Sequence, residues 1–273
     1  MKACLLVAQR EMRIGLRNPW AWSFLALFSL FLGGLSLIHA QGYVAGYPGM
    51  TATMLNLILH LLPLMSLMLG SFSLTGERED GHWELLSTYP IGTREFIAGK
   101  FIGLAAVLVL VVSFAFGFAG ALGWLAGSAL AFGDWLILLV FSVCLTVFCL
   151  AVSLLVGAAA RTRWQALTAS VALWFVWIIA WASLLIGFLG LLPYAWVKPA
   201  VTAVTLFNPA ELARLFAVVQ LGGGAVLGPE YYDWIRWVEG PRGTLGFLAL
   251  LALWTIGGLA AARAVLERRG TRG

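Results

Sequence analysis

The residues best equipped for chemistry lie together between positions 75 and 100. This stretch holds eight of the chain's 29 charged residues, including Glu77, Glu79, Asp80 and Glu84, interleaved with His82, Trp83 and Leu86. Clustered carboxylates can work as acid–base catalysts, metal ligands or a surface for a partner. His82-Trp83-Glu84-Leu85 does not supply the His-Glu-x-x-His arrangement of a zinc hydrolase. No Gly-x-x-x-x-Gly-Lys-Ser/Thr phosphate loop occurs anywhere, so the chain does not hydrolyse ATP by that route, and energy for uphill work must come from another polypeptide. In helical projection Glu77, Asp80 and Glu84 fall within about 60° of one another with Leu86 opposite. One face is acidic and the other apolar, which favours a partner-binding surface.

Other reactive residue types point to packing. Cys4, Cys144 and Cys149 make an odd count, and the last two are five apart in an apolar run, so no disulfide framework or zinc site follows. Met50, Met54, His60, Met65 and Met68 gather five of the nine Met and His residues. Thioether and imidazole suit monovalent copper. These positions do not share one helical face, however, and methionine in an apolar helix mostly packs, so no metal site is assigned. His60, one turn after Asn56 and just before Pro63, reads as a polar contact between helices. The spans otherwise lack the mid-membrane carboxylates and histidines of ion-coupled carriers.

The elements that position these residues are membrane helices. The 273 residues are 62% hydrophobic and 11% charged, against a usual quarter charged. The net charge of +5 does not indicate nucleic acid, because the basic residues sit at the ends of apolar runs. The expected fold is therefore all-α and polytopic. Residues 1–19 form an interfacial amphipathic helix with Arg10, Arg13 and Arg17 clustered for anionic lipid, while Leu5, Met12 and Leu16 share another side. Asn18-Pro19 supplies a cap and a first-turn proline. Spans are expected at about 20–38, 52–74, 101–126, 135–160, 165–192 and 244–262. Lysine and arginine are concentrated in the N-terminal segment, in 75–100, near 162 and in the tail, which together hold 13 of the 17. Both termini and the acidic segment are thereby assigned to the cytoplasm.

The loop 193–243 is too long for a bare connection. Asn208-Pro209 opens a helix through Gln220, with Glu211 and Arg214 three apart and Gly222-Gly223-Gly224 as its stop. A second short piece, 229–238, carries Tyr231, Tyr232, Trp234 and Trp237, aromatic residues suited to the headgroup layer. The loop reads as a lid on the outer leaflet or as a docking surface for an extracytoplasmic partner, with Asn208, Glu211, Arg214, Tyr231 and Trp234 as its candidate contacts.

Gly76-Glu77-Arg78-Glu79-Asp80-Gly81, Trp83 to Ile91, Arg94-Glu95 and Gly99-Lys100-Phe101 resemble the loop after the second span in permease subunits of type-2 ABC exporters. The layout is similar throughout: a basic interfacial helix, six spans, and a re-entrant or lid region before the last. The resemblance implies a non-catalytic subunit of the inner membrane that pairs with a second copy of itself and with an ATPase dimer. It places ATP and magnesium in the ATPase and no cofactor in this chain, and makes 75–100 a coupling segment acting through Glu77, Glu79, Asp80, Trp83, Glu84 and Leu86. Leu85 to Pro90 and Leu206 to Leu215 are further similar to the NosY-type permeases of nitrous-oxide-reductase maturation. Those work with an extracytoplasmic solenoid protein in copper-centre assembly. Arg78 and His82-Trp83 depart from the acidic, small-residue pattern expected there. Export of a lipid, peptide or drug by the same architecture is the alternative, with an ion-coupled carrier or channel behind it.

Overall fold

The computed structural model describes residues 2–40, 47–81, 92–127, 131–227 and 231–270. Within them every regular element is helical. Helix α1 spans Lys2–Arg17 and α2 Pro19–Ala40. The break between them follows local chemistry: the Asn18 side-chain oxygen accepts the Trp20 backbone N–H at 3.0 Å, and Pro19 occupies the first helical position, where no N–H is needed.

Helix α3 (Tyr47–Glu79) and helix α4 (Thr93–Leu125) each contain 33 residues. At 1.5 Å per residue each is about 50 Å long, against a hydrocarbon core of about 30 Å. The second span was expected to stop near 74, but α3 continues through Glu77 and Glu79, so those carboxylates stand on a rigid extension of the span. Pro63 lies inside α3 without ending it. Helix α4 starts after Gly92, which provides no side-chain cap.

Helix α5 is Phe132–Ala159. The fifth span is composite: α6 (Arg163–Trp174), a π-helical turn (Phe175–Ala180) and α7 (Trp181–Gly190). Helix α8 (Tyr194–Thr205), α9 (Pro209–Gln220) and α10 (Tyr232–Val238) follow, then α11 (Pro241–Gly270). Among the described residues six helices are long and apolar enough to cross a membrane: α2, α3, α4, α5, the composite α6–α7, and α11.

Helices α3 and α5 form the centre of the bundle, closely apposed because small residues line their seam. A Cβ on Gly70 would collide with Ser153, and one on Gly157 would come within 2.8 Å of the Ser71 carbonyl oxygen. Polar side chains in the spans mostly bond back to their own helix, as Ser66 does to the Leu62 carbonyl (2.8 Å) and Ser142 to that of Leu138 (2.7 Å). That satisfies the hydroxyls where no water is present.

Candidate functional site

Helix α1 has three faces rather than two. Arg13 and Arg17 are exposed, Leu5, Leu6 and Met12 are exposed beside them, and Val7, Ala8 and Glu11 are buried against α4. Gly99 and Gly103, four apart on α4, form the groove that receives this third face. A Cβ at Gly99 would stand 2.5 Å from the Cys4 carbonyl oxygen, and one at Gly103 2.5 Å from that of Ala8. Only glycine lets the two backbones approach so closely. The glycine pair therefore works within the chain, and it brings Glu11 beside Lys100.

The resulting cluster is enclosed. Lys100 is 1% exposed and Glu11 2%. The Lys100 ammonium lies 2.9 Å from Glu11 Oε2 and 3.3 Å from Glu77 Oε2, and it donates to Ser73 Oγ at 2.8 Å. Ser73 in turn donates to Glu11 Oε2 at 3.0 Å. Arg10 donates to Glu77 Oε1 at 2.6 Å and reaches Glu11 Oε1 at 3.4 Å. Two cations thus meet two carboxylates, and helices α1, α3 and α4 are tied at one point. A buried charge is tolerated when it is paired and hydrogen-bonded in this way.

The remaining charges at the end of α3 reach other helices. Arg78 donates to the carbonyls of Ala160 (3.0 Å) and Ala158 (3.3 Å) at the C-terminal end of α5, where a basic side chain suits the helix terminus. Glu79 accepts the Arg163 backbone N–H at 2.9 Å and faces its guanidinium at 3.2 Å, and Asp80 accepts from the same guanidinium at 2.6 Å. The carboxylates sit at the start of α6, where the positive end of the helix dipole favours them. Residues 77–80 therefore join α3 to α1, α4, α5 and α6.

This geometry redistributes the residues expected to face a partner. Glu77 is turned into the chain, whereas Glu79 and Asp80 are exposed, with 31% and 50% of their side chains accessible. Trp83, Glu84 and Leu86 lie outside the described residues. Arg10 is half-buried in the cluster while Arg13 and Arg17 remain exposed. Lys100 stood out in the sequence only as part of the Gly99-Lys100-Phe101 motif, and Glu11, Ser73 and Arg163 carried no such mark. The available sign was Glu11, an acid falling about 40° to 60° from Val7 and Ala8 on an otherwise basic helix.

At the other end of the spans, α8 and α9 form a bent pair, with 109° between Pro199–Thr205 and Pro209–Gln220. Their corner is bonded into the bundle. The Trp254 indole N–H donates to the Leu206 carbonyl at 3.2 Å, and the Asn208 amide donates to that of Trp177 at 2.8 Å. Trp177 and Trp254 stand near the middle of their spans, so the corner reaches mid-depth and the pair is re-entrant. Helix α9 is held in the bundle by buried Leu212, Ala213, Leu215, Ala217 and Val219. Asn208, expected on a partner surface, is instead fully buried and caps α9 by accepting from the Ala210 and Glu211 N–H groups. Arg214 pairs with both Glu211 oxygens, one at 2.8 Å, and both residues stay partly accessible. Tyr231 is half-buried, and Trp234 is half-buried against the core.

The residues considered for copper are differently engaged. Met50, Met54 and Met65 are buried in packing, and His60 Nδ1 lies 2.7 Å from the Asn56 carbonyl of its own helix, which requires the Nδ1–H tautomer. Among the described residues no group of three or more His, Cys, Asp or Glu could hold a metal.

Residues 5–216 match the family described as ABC-2 family transporter protein. The chain is 28% identical to the "Probable ABC transporter permease protein NosY" of Pseudomonas aeruginosa, covering 96% of this chain and 97% of that protein. It is 27% identical to a protein of the same name from Stutzerimonas stutzeri, covering 81% and 84%. The matched region runs from α1 into α9 and includes every member of the buried charge cluster: this multi-pass membrane chain belongs to the ABC-2 family of transporter proteins.

Proposed function

We propose that the chain is the permease subunit of an ABC transporter of the cytoplasmic membrane, working as a pair with a separate ATPase dimer that holds ATP and magnesium. One observation supports this above the others. The acidic end of α3 is a stiff continuation of a span and is bonded to four neighbouring helices, so a force applied at residues 77–80 moves the bundle. Glu79, Asp80, Trp83, Glu84 and Leu86 form the surface offered to the ATPase, and Glu77 anchors it from behind. Arg13 and Arg17 hold α1 at anionic lipid, each worth about 1 kcal/mol.

The two NosY-named relatives, similar over most of their length, favour a role in maturing the copper centre of nitrous oxide reductase. In that setting the outer region around Glu211, Arg214, Tyr231 and Trp234 faces an extracytoplasmic solenoid protein, and the work delivered across the membrane is mechanical.

Co-purification from the native membrane tests both levels. A stoichiometric ATPase is expected, and Glu84→Lys should weaken its association about tenfold or more, the consequence of losing roughly 1.4 kcal/mol. A chain that purifies without any ATPase and still supports flux would sink the reading. An additional solenoid protein supports the maturation role, whereas ATPase stimulation by a hydrophobic compound with no such protein present would replace it with export.

A further inference from the structure

The π turn Phe175–Ala180 interrupts the fifth span near its midpoint. A π turn takes an extra residue per turn and disturbs the regular hydrogen-bond ladder, so it needs a stabilising partner inside a membrane. Asn208 provides one. Its Nδ2 donates to the Trp177 carbonyl within the π turn at 2.8 Å, while its Oδ1 accepts the Ala210 and Glu211 N–H groups at 3.1 and 3.2 Å. One fully buried amide thus joins the bulge of the fifth span to the first turn of α9.

The surroundings make that joint stiff. On the other side of the corner the Leu206 carbonyl accepts from Trp254 on α11. Phe148 of α5 packs between the two indoles, with ring centroids 5.6 Å from Trp177 and 6.1 Å from Trp254. The far end of the same fifth span begins at Arg163, which grips Glu79 and Asp80 of α3. A continuous path therefore runs from the acidic end of α3 through Arg163, along α6 to the π turn, and through Asn208 into α9, the helix that presents Glu211 and Arg214.

We infer that Asn208 is the positioning residue that transmits displacement of the fifth span to the re-entrant helix α9. The inference rests on the proposed permease role and names the connection by which ATPase closure would reach the outer side. Its rival is a purely local role, in which Asn208 only caps α9. Serine separates the two, because it is as good an N-cap as asparagine but is too short to reach the Trp177 carbonyl.

The test uses the full chain with its ATPase in lipid nanodiscs, after replacing Cys4, Cys144 and Cys149. Spin labels go on two exposed positions, Phe207→Cys at the corner and Trp124→Cys at the end of α4, and their separation is measured without nucleotide and with ATP. In the Asn208-containing complex the distance distribution is expected to shift with ATP. In Asn208→Ser the shift should be lost while ATPase assembly and hydrolysis stay within about twofold of the parent. Hydrogen exchange supplies a readout that needs no substitution: amides of 175–181 and 210–212 should change protection together in the unmodified complex. An Asn208→Ser complex that shifts like the parent, or an unmodified complex that hydrolyses ATP with no shift and no joint change in exchange, overturns the inference and leaves the permease role standing. Failure to recruit any ATPase overturns the permease role and the inference with it.

Discussion

Lys100 is the residue on which the charged end of the bundle depends, because its ammonium is the buried counter-charge shared by Glu11 and Glu77. Replacing it by methionine leaves two carboxylates competing for Arg10, and removing one partner of a buried pair costs about 3 to 5 kcal/mol. Lys100→Met is therefore expected to lower the thermal unfolding midpoint markedly in detergent or nanodiscs. The double substitution Lys100→Met with Glu11→Met leaves the neutral Arg10–Glu77 pair and should recover most of that loss. Strictly additive losses in the double variant would show that Glu11 and Lys100 do not act on each other. Arg163 differs in kind: its pairs with Glu79 and Asp80 are about half exposed, so solvent screens them and they set orientation more than stability.

At the scale of elements, the seating of α1 on α4 should fail when its glycine groove is filled. Gly99→Val places atoms where the Cys4 carbonyl and the Val7 side chain stand, and overpacking of this kind costs about 1 to 3 kcal/mol. Faster protease cleavage within residues 2–17 is the expected readout. Gly117→Ala on the same helix meets nothing within 4 Å and should leave cleavage unchanged. The helices themselves were largely legible in the sequence, because apolar runs of about 20 residues and breaker pairs such as Asn18-Pro19 and Asn208-Pro209 act locally. The reach of α3 was not, since hydropathy marks where a helix leaves oil and not where it stops being helical. The third face of α1 was hidden for a related reason: Glu11 looks like one more polar residue until Gly99, Gly103 and Lys100 are known to lie opposite it. No residue pattern announced the π turn, and the mid-depth corner depends on partners, Trp177 and Trp254, that are distant in sequence.

For the whole molecule, we propose from the distribution of lysine and arginine that the charged end faces the cytoplasm and the mouth of the re-entrant pair faces outside. Labelling of single cysteines in intact cells with a membrane-impermeant maleimide checks this: Leu191→Cys, at an exposed position beyond α7, should react from outside, and Thr162→Cys should react only after permeabilisation. The reverse pattern would invert the assignment of every surface discussed. The seat of α1 also sets a timetable for synthesis. Arg10 and its partner Glu77 are 67 residues apart, and Lys100 is made later still. At about 5 to 20 residues per second, Glu11 exists for several seconds before Lys100, its buried counter-charge, does. During that interval it cannot be buried, so α1 must wait at the wet surface of the membrane, where its arginines suit it to stay. The basic face then serves as a mooring for an unfinished protein, and the glycine groove of α4 ends the wait. Nascent chains arrested before residue 93 should leave a Val7→Cys thiol open to maleimide, and chains extending past 125 should protect it.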